Sequence, residues 1–251
     1  MMRQGPFMEK SSENELNDKI CLVFDATNRW IIAGLFGPLE SEINIEANRD
    51  SFKHLSPILS DLLKKNGVKK PDWIVTTIGP GSFTGTKISV TAARTMSSLW
   101  GIPVTGVDSL TFYMNAINNQ KPAEIPTGVL LDAKQKKVYA KLSGGGFSGD
   151  EFLEMSGSSE NILLDIEPDK LFNNLKSDYR FFADDPETIY GYSETKLQFE
   201  ISQFPEIRAR YLYETGLAMG GIKAAKSCEH LIPLYLRKDP ATDRYPEGLK
   251  K

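Results

Sequence analysis

Cysteine and histidine are both scarce in this 251-residue sequence, at two each. Cys21 and Cys228 alone exclude a disulfide framework and a four-cysteine zinc site, and they fit a reducing cytoplasm. His54 and His230 stand in no HExxH or HxxxH spacing, so a histidine-based metal centre lacks ligands. With no acidic or nucleophilic partner nearby, His54 reads as a helix-surface residue rather than a base. Apolar runs long enough to span a bilayer are missing, which predicts no membrane association. The opening MMRQGPFMEKSSENELNDK has no continuous apolar core and reads as a polar, flexible leader over residues 1–18. Net positive charge is also missing: 30 Lys and Arg face 33 Asp and Glu, for a net charge of −3. No global field draws in phosphate backbones, so if RNA is involved another chain is expected to hold it.

Hydrophobic residues at 40% and charged residues at 25% are those of a chain that buries a core. The length predicts two compact lobes. Ile20–Phe24, Trp30–Phe36 and a short run around Ile43 and Ile45 read as three strands of a meander. Phe52, Leu55, Ile58, Leu59, Leu62 and Leu63 recur at helical spacing, and Asn66-Gly67 stops that helix before the basic run Lys69-Lys70. Trp73–Ile78 is β-rich and enters Gly79-Pro80-Gly81-Ser82-Phe83-Thr84-Gly85; a helix over 86–100 and a strand over 104–107 follow, a crossover typical of parallel pairing. These make a first α/β lobe over residues 19–118. A helix over 110–118 ends in the polar stretch 118–122, taken as the boundary. Residues 119–251 then read as a smaller second lobe, a degenerate repeat of the first. In it, Thr127–Leu131, Asp132 and Val138–Leu142 echo the start of the chain, Gly144-Gly145-Gly146 is a loop and Phe181–Ala183 a short strand. A C-terminal helix over 211–225, with Leu212, Met219 and Ile222 along one stripe, is expected to return to the first lobe.

The segment Gly79–Gly85 carries the most chemical information. A glycine-rich turn opening a helix aims backbone N–H groups outward and can cradle an anion; equally, the glycines can merely permit a cramped turn with Ser82 or Thr84 as the cap. A P-loop is excluded by register, because Thr86 stands between Gly85 and Lys87. A serine-hydrolase elbow is excluded because Ser82 directly follows Gly81. Asp25 and Asp132 each end an apolar strand, an arrangement by which two-lobed nucleotide-binding folds hold a metal and phosphates; the alternative is that each caps a turn. The candidate nucleotide contacts are Asp25, Gly79, Gly81 and Gly85. Along 86–100, one stripe holds Ile88, Ala92, Thr95, Met96 and Leu99, and another holds Val90, Ala93, Ser97 and Trp100. Either one stripe meets a partner helix or the whole helix is buried in its own chain.

Gly-Pro-Gly-Ser-Phe-Thr-Gly before a small-residue helix, then Gly101-Ile-Pro-Val-Thr-Gly-Val-Asp-Ser-Leu110, resembles the bacterial TsaB (YeaZ) family. Asp25-Ala26-Thr27, Leu131-Asp132-Ala133 leading to Val138-Tyr139, and Pro233-Leu-Tyr-Leu-Arg237 extend the resemblance from Ile20 to Arg237. It implies a two-lobed actin-like, sugar-kinase-like (ribonuclease H-like) α/β fold. It also implies a role in making threonylcarbamoyladenosine (t6A) at position 37 of tRNAs that read ANN codons. By resemblance the chain is a non-catalytic subunit that pairs with the transferase TsaD through its first-lobe helices, while the ATPase TsaE binds the pair. Partner contacts are then expected from Leu55, Ile58, Leu59, Leu62, Ile88, Ala92, Thr95 and Leu99, with tRNA reached through the complex and a homodimer possible when the chain is alone. No cofactor is expected on this chain, while the complex uses ATP and Mg. The transferase has two metal-binding histidines after its Gly-Val turn; Ser109 and Tyr113 take those places here, and neither replaces an imidazole. The sequence departs from the family at Arg49-Asp50-Ser51-Phe52, where Ser51 takes a histidine's place, and at Lys134-Gln135-Lys136-Lys137. The competing expectation is an independent ATP-binding kinase or ATPase of the same fold.

Overall fold

A computed structural model describes residues 18–46, 51–144, 161–193 and 199–237. Most of the leader, Arg49 and Asp50, and Gly145 and Gly146 lie outside them, as do the side chains of Ser51 and Phe52. The described chain divides into two units.

The first unit is built on strands β1 (Cys21–Asp25), β2 (Trp30–Phe36), β3 (Ser41–Glu46), β4 (Trp73–Thr77) and β5 (Val104–Val107), in the order β3-β2-β1-β4-β5. β1 pairs antiparallel with β2 and parallel with β4. It is buried along its length because helices cover both faces, which is why it reads as an unbroken apolar run. Alternate residues separate the faces. Leu22, Phe24, Ala33, Leu35 and Ile74 join the core under helices α1 (Ser51–Lys65) and α2 (Phe83–Trp100). On the other face Phe36 stacks on Tyr213, ring centroids 5.0 Å apart.

Helix α1 turns Leu55, Leu59 and Leu62 inward, at 1%, 4% and 1% exposure. Three of the expected partner contacts therefore belong to this chain's own core, and Ile58 is half-buried against it. The apolar stripe of an amphipathic helix faces its own sheet first, because that burial holds the helix in place. Charging Leu59 is thus no test of partner binding. Leu59→Asp is expected to cost about 4 kcal/mol or more and to abolish the cooperative unfolding transition followed by circular dichroism in urea.

The second unit repeats the sheet in full. Strands β6 (Thr127–Lys134), β7 (Lys137–Ser143), β8 (Asn161–Ile166), β9 (Arg180–Ala183) and β10 (Ile201–Gln203) lie in the order β10-β9-β6-β7-β8. β6 pairs antiparallel with β7 and parallel with β9, as β1 does with β2 and β4. What shrinks in the repeat is the helices: α4 (Pro168–Asn173) and α5 (Pro186–Tyr190) stand where the first unit has α1 and α2. Among the described residues, the degeneracy expected of the second lobe shows in these helices and in the shorter strands β9 and β10.

Helix α3 (Ser109–Gln120) follows β5 in sequence but packs on β6 and β7. The division therefore falls at Val107/Asp108 rather than at residue 118. Reciprocally, residues Arg208–Pro233 group with the first unit. The helix expected over 211–225 is two, α6 (Ala209–Ala218) and α7 (Gly221–Ala224). Leu212 is buried, whereas Met219 lies between the two helices and is half exposed. No described helix is long and apolar enough to cross a membrane.

Candidate functional site

The end of β1 is held by several buried hydrogen bonds. Asp25 is 2% exposed; its Oδ1 accepts the Thr27 N–H at 2.8 Å and the hydroxyl of Thr77, from the end of β4. Nearly two turns into α2, Ser89 Oγ accepts the Ala26 N–H at 3.0 Å. Gly85 is pressed against the same turn: a Cβ there would lie 2.1 Å from the Ala26 carbonyl oxygen and 3.0 Å from Thr27 Cα. Of the candidate nucleotide contacts, Asp25 and Gly85 thus come together, and a backbone contact fills the space between the β1–β2 turn and the start of α2. Gly79 has φ +98°, a conformation that favours glycine, and its carbonyl accepts the Ser109 N–H at 2.8 Å. The Gly79–Pro80 peptide is cis. Gly79 and Gly81 group with the second unit, not with Asp25 and Gly85.

Asp132 repeats the local geometry of Asp25. Its Oδ1 accepts the Lys134 N–H at 2.7 Å, again two residues on, and also the Tyr192 hydroxyl at 2.7 Å; Lys134 Nζ pairs with Oδ2. Burial raises the Asp132 carboxyl, but the bonds from Lys134 and Tyr192 outweigh it and hold the group below the usual carboxylate range. Lys134, Gln135 and Lys136 follow at φ near +60°, a left-handed run closing the β6–β7 hairpin. Both strand-end aspartates therefore cap turns, as the turn-capping reading expects.

A third strand-end acid was not singled out in the sequence. Asp184 follows β9; its Oδ1 is buried and without a hydrogen-bond partner. Burial, and then the negative charge of Asp132, push its carboxyl up to about 6. The signal was available, since Phe181-Phe182-Ala183-Asp184 ends an apolar strand on an acid as Phe24-Asp25 does.

Ser109 and Tyr113, which the resemblance sets at the transferase's histidine places, are packing residues. Ser109 is fully buried at the start of α3, and Tyr113 stacks on Phe204, ring centroids 5.0 Å apart. Among the described residues no group of three His, Cys, Asp or Glu side chains is placed to hold a metal ion. Arg237, closing the C-terminal motif, makes a two-pronged bond to Asp165 at 2.8 and 2.9 Å.

The remaining expected partner contacts lie on α2. Val90, Ala93 and Ser97 face the sheet, while Thr95 and Leu99 are exposed, Leu99 at 78%, and Ile88 and Ala92 are half-buried at the edge. The helix is therefore not fully buried within this chain. That apolar residue stands on an outward arc that also bears Thr91, Thr95 and Ser98, with the exposed cations Lys87 and Arg94 along one side.

A five-stranded mixed sheet repeated with the same strand order defines the two-lobed actin-like, sugar-kinase-like fold. Solved structures agree: YeaZ from Pseudomonas aeruginosa superposes with a TM-score of 0.66 at 19% identity, covering 87% of this chain and 100% of that one. The family model for the tRNA N6-adenosine threonylcarbamoyltransferase TsaD matches residues 44–150. The transferase of Corynebacterium diphtheriae is 30% identical over 96 residues, which is 38% of this chain and 26% of that protein. The chain thus spans about a quarter of the length of the curated transferases it matches. The tRNA threonylcarbamoyladenosine biosynthesis protein TsaB of Haemophilus influenzae is 24% identical over 225 residues, 88% of this chain and 94% of that one. Over most of its length the chain is thus similar to TsaB (YeaZ) proteins, the family its motifs resemble.

Proposed function

We propose that this chain is a non-catalytic subunit of the machinery that makes threonylcarbamoyladenosine at adenosine 37 of tRNAs reading ANN codons. It binds and supports a TsaD-like transferase, which acts together with a TsaE-like ATPase in the cytoplasm. The observation that carries this reading is that the likeness to TsaB runs the length of the chain, whereas the likeness to the transferase stops at a quarter of that enzyme. The outward face of α2, with Ile88, Ala92, Thr95 and Leu99, is the surface proposed to meet the transferase.

ATP and Mg act elsewhere in the complex. A nucleotide-bound cation at the end of β1 would require Asp25 to release Thr77 and Thr27, and Gly85 already occupies the space beside Ala26. The residues present do not fit such a group, and the same contacts oppose the reading of the chain as an independent kinase or ATPase.

The test is t6A formation on tRNA in a reconstituted reaction with the source organism's transferase, ATPase and threonylcarbamoyl-AMP synthase. Product is expected only when this chain is added; equal product without it would overturn the reading. The double variant Thr95→Arg, Leu99→Glu changes exposed positions, so its stability should stay within about 0.5 kcal/mol of the parent. Its affinity for the transferase is expected to fall at least 100-fold by calorimetry, because a charge enclosed in a packed interface costs several kcal/mol.

A further inference from the structure

Four lysines fall between residues 64 and 70 of a chain whose net charge is −3. Lys64 and Lys65 end α1; Gly67, with φ +66°, turns the chain, and Lys69 and Lys70 follow outside the helix. All four are exposed, and within the described residues no carboxylate comes close enough to pair with them. The nearest acids in sequence are Asp61 and Asp72, and Asp72 already bonds to the Ile20 N–H and pairs with Lys19. Lysines in the last turn of a helix complement the partial negative charge of its carbonyl end, which accounts for Lys64 and Lys65. It does not account for Lys69 and Lys70, which stand beyond the turn. Exposed like charges repel one another only weakly in water, and a cluster of them attracts a polyanion.

Lys64 and Lys69 also border an open depression of about 490 Å³, lined besides by Leu63, Val68, Ser60 and Gly67. An apolar floor with ammonium groups at its margin suits a polyanion that carries flat apolar rings beside its phosphates. It suits a run of carboxylates less well.

We infer that the C-terminal end of α1 and the 66–70 turn form a contact for the phosphate backbone of RNA, the tRNA substrate being the polyanion it meets. This rests on the proposed function and deepens it: the chain touches the substrate through a local patch even though its overall charge is negative. Contacts of this kind position the RNA without reading its sequence.

The test measures tRNA binding by the full chain as a function of salt, alone and with the transferase, for the parent and for Lys64→Gln, Lys65→Gln, Lys69→Gln, Lys70→Gln combined. Each phosphate contact contributes roughly one unit to the slope of log affinity against log salt. The combined variant is expected to lower that slope by about two to three and to weaken binding about 10-fold or more at 50 mM salt, equally for ANN-reading tRNAs and others. The corresponding Lys→Arg variant, which keeps the charge, is expected to restore binding, and an unchanged melting temperature shows that both variants fold. An unaltered slope and affinity in the glutamine variant would overturn the inference, as would poly-glutamate bound at the patch without competition from tRNA. Those results would leave the proposed function standing if t6A formation still required the chain. Loss of that requirement is the separate result that removes the proposed function.

Discussion

Replacing Gly85 by alanine is expected to cost about 3 kcal/mol, although alanine is the better helix former by about 1 kcal/mol. The opposing effect is steric and larger. The added Cβ would sit 2.1 Å from the Ala26 carbonyl oxygen, a backbone atom that cannot swing aside as a side-chain tip can. Either α2 must move out or the β1–β2 turn must yield, and both stretch the bond between Ser89 Oγ and the Ala26 N–H. Urea unfolding of Gly85→Ala, with the exposed Thr84→Ala alongside as a control for helix propensity, decides between the two effects. A variant as stable as its parent would show that this close approach does not hold the helix. Because the same contact fills the cradle, the measurement also bears on why the glycine-rich motif, read alone, left an anion site and a cramped turn equally open.

The second large effect is a pH dependence centred on Asp184. A carboxyl raised from 3.8 to about 6 in the folded protein favours folding while it is protonated. That contribution is fully present below pH 3.8 and is lost as the pH climbs through about 6, a difference on the order of 3 kcal/mol. Asp132, held below its usual range, works in the opposite sense, and its contribution disappears only in more acidic solution. Asp184→Asn is therefore expected to be more stable than the parent at pH 8 and nearly equal at pH 4. Thermal unfolding across pH 4 to 8 should show the parent losing stability between pH 4 and 7 while the variant's curve stays flatter. Parallel curves would mean that Asp184 is not the group responsible.

How much of this was legible in the sequence depends on how clearly each element is bounded. β2 and β5 were read with their exact limits, since an apolar run bounded by turn residues has one plausible extent. β8, β10, α4 and α5 were missed. Ile201–Gln203 lacks the turn residues that bracket β5 and is a strand only because β9 lies beside it. The helix faces mark a different limit. Periodicity identifies the apolar stripe but not what covers it, so Leu55, Leu59 and Leu62 were assigned to a partner when their own sheet takes them. Leu99 was the better clue, a large apolar residue exposed on the same outward arc as Thr91, Thr95 and Ser98. The strand-end aspartates were visible as a repeated pattern. Their capping role was not decidable, because it depends on hydroxyls from Thr77 and Tyr192, each more than fifty residues away in the chain.

The exchange of helices between the two halves has a consequence for the order in which the protein can be made. β1 to β5 and the helices α1 and α2 have all been synthesised by Val107, yet the face bearing Phe36, Trp73 and Val75 stays bare until Ala209–Ala218 is translated a hundred residues later. At elongation speeds of about 5–20 residues per second, that apolar face waits for several seconds or more. The N-terminal half is thus not an autonomous folding unit during translation, and a ribosome stalled before Arg208 would display a sheet with one side uncovered, a substrate for chaperones rather than a finished domain.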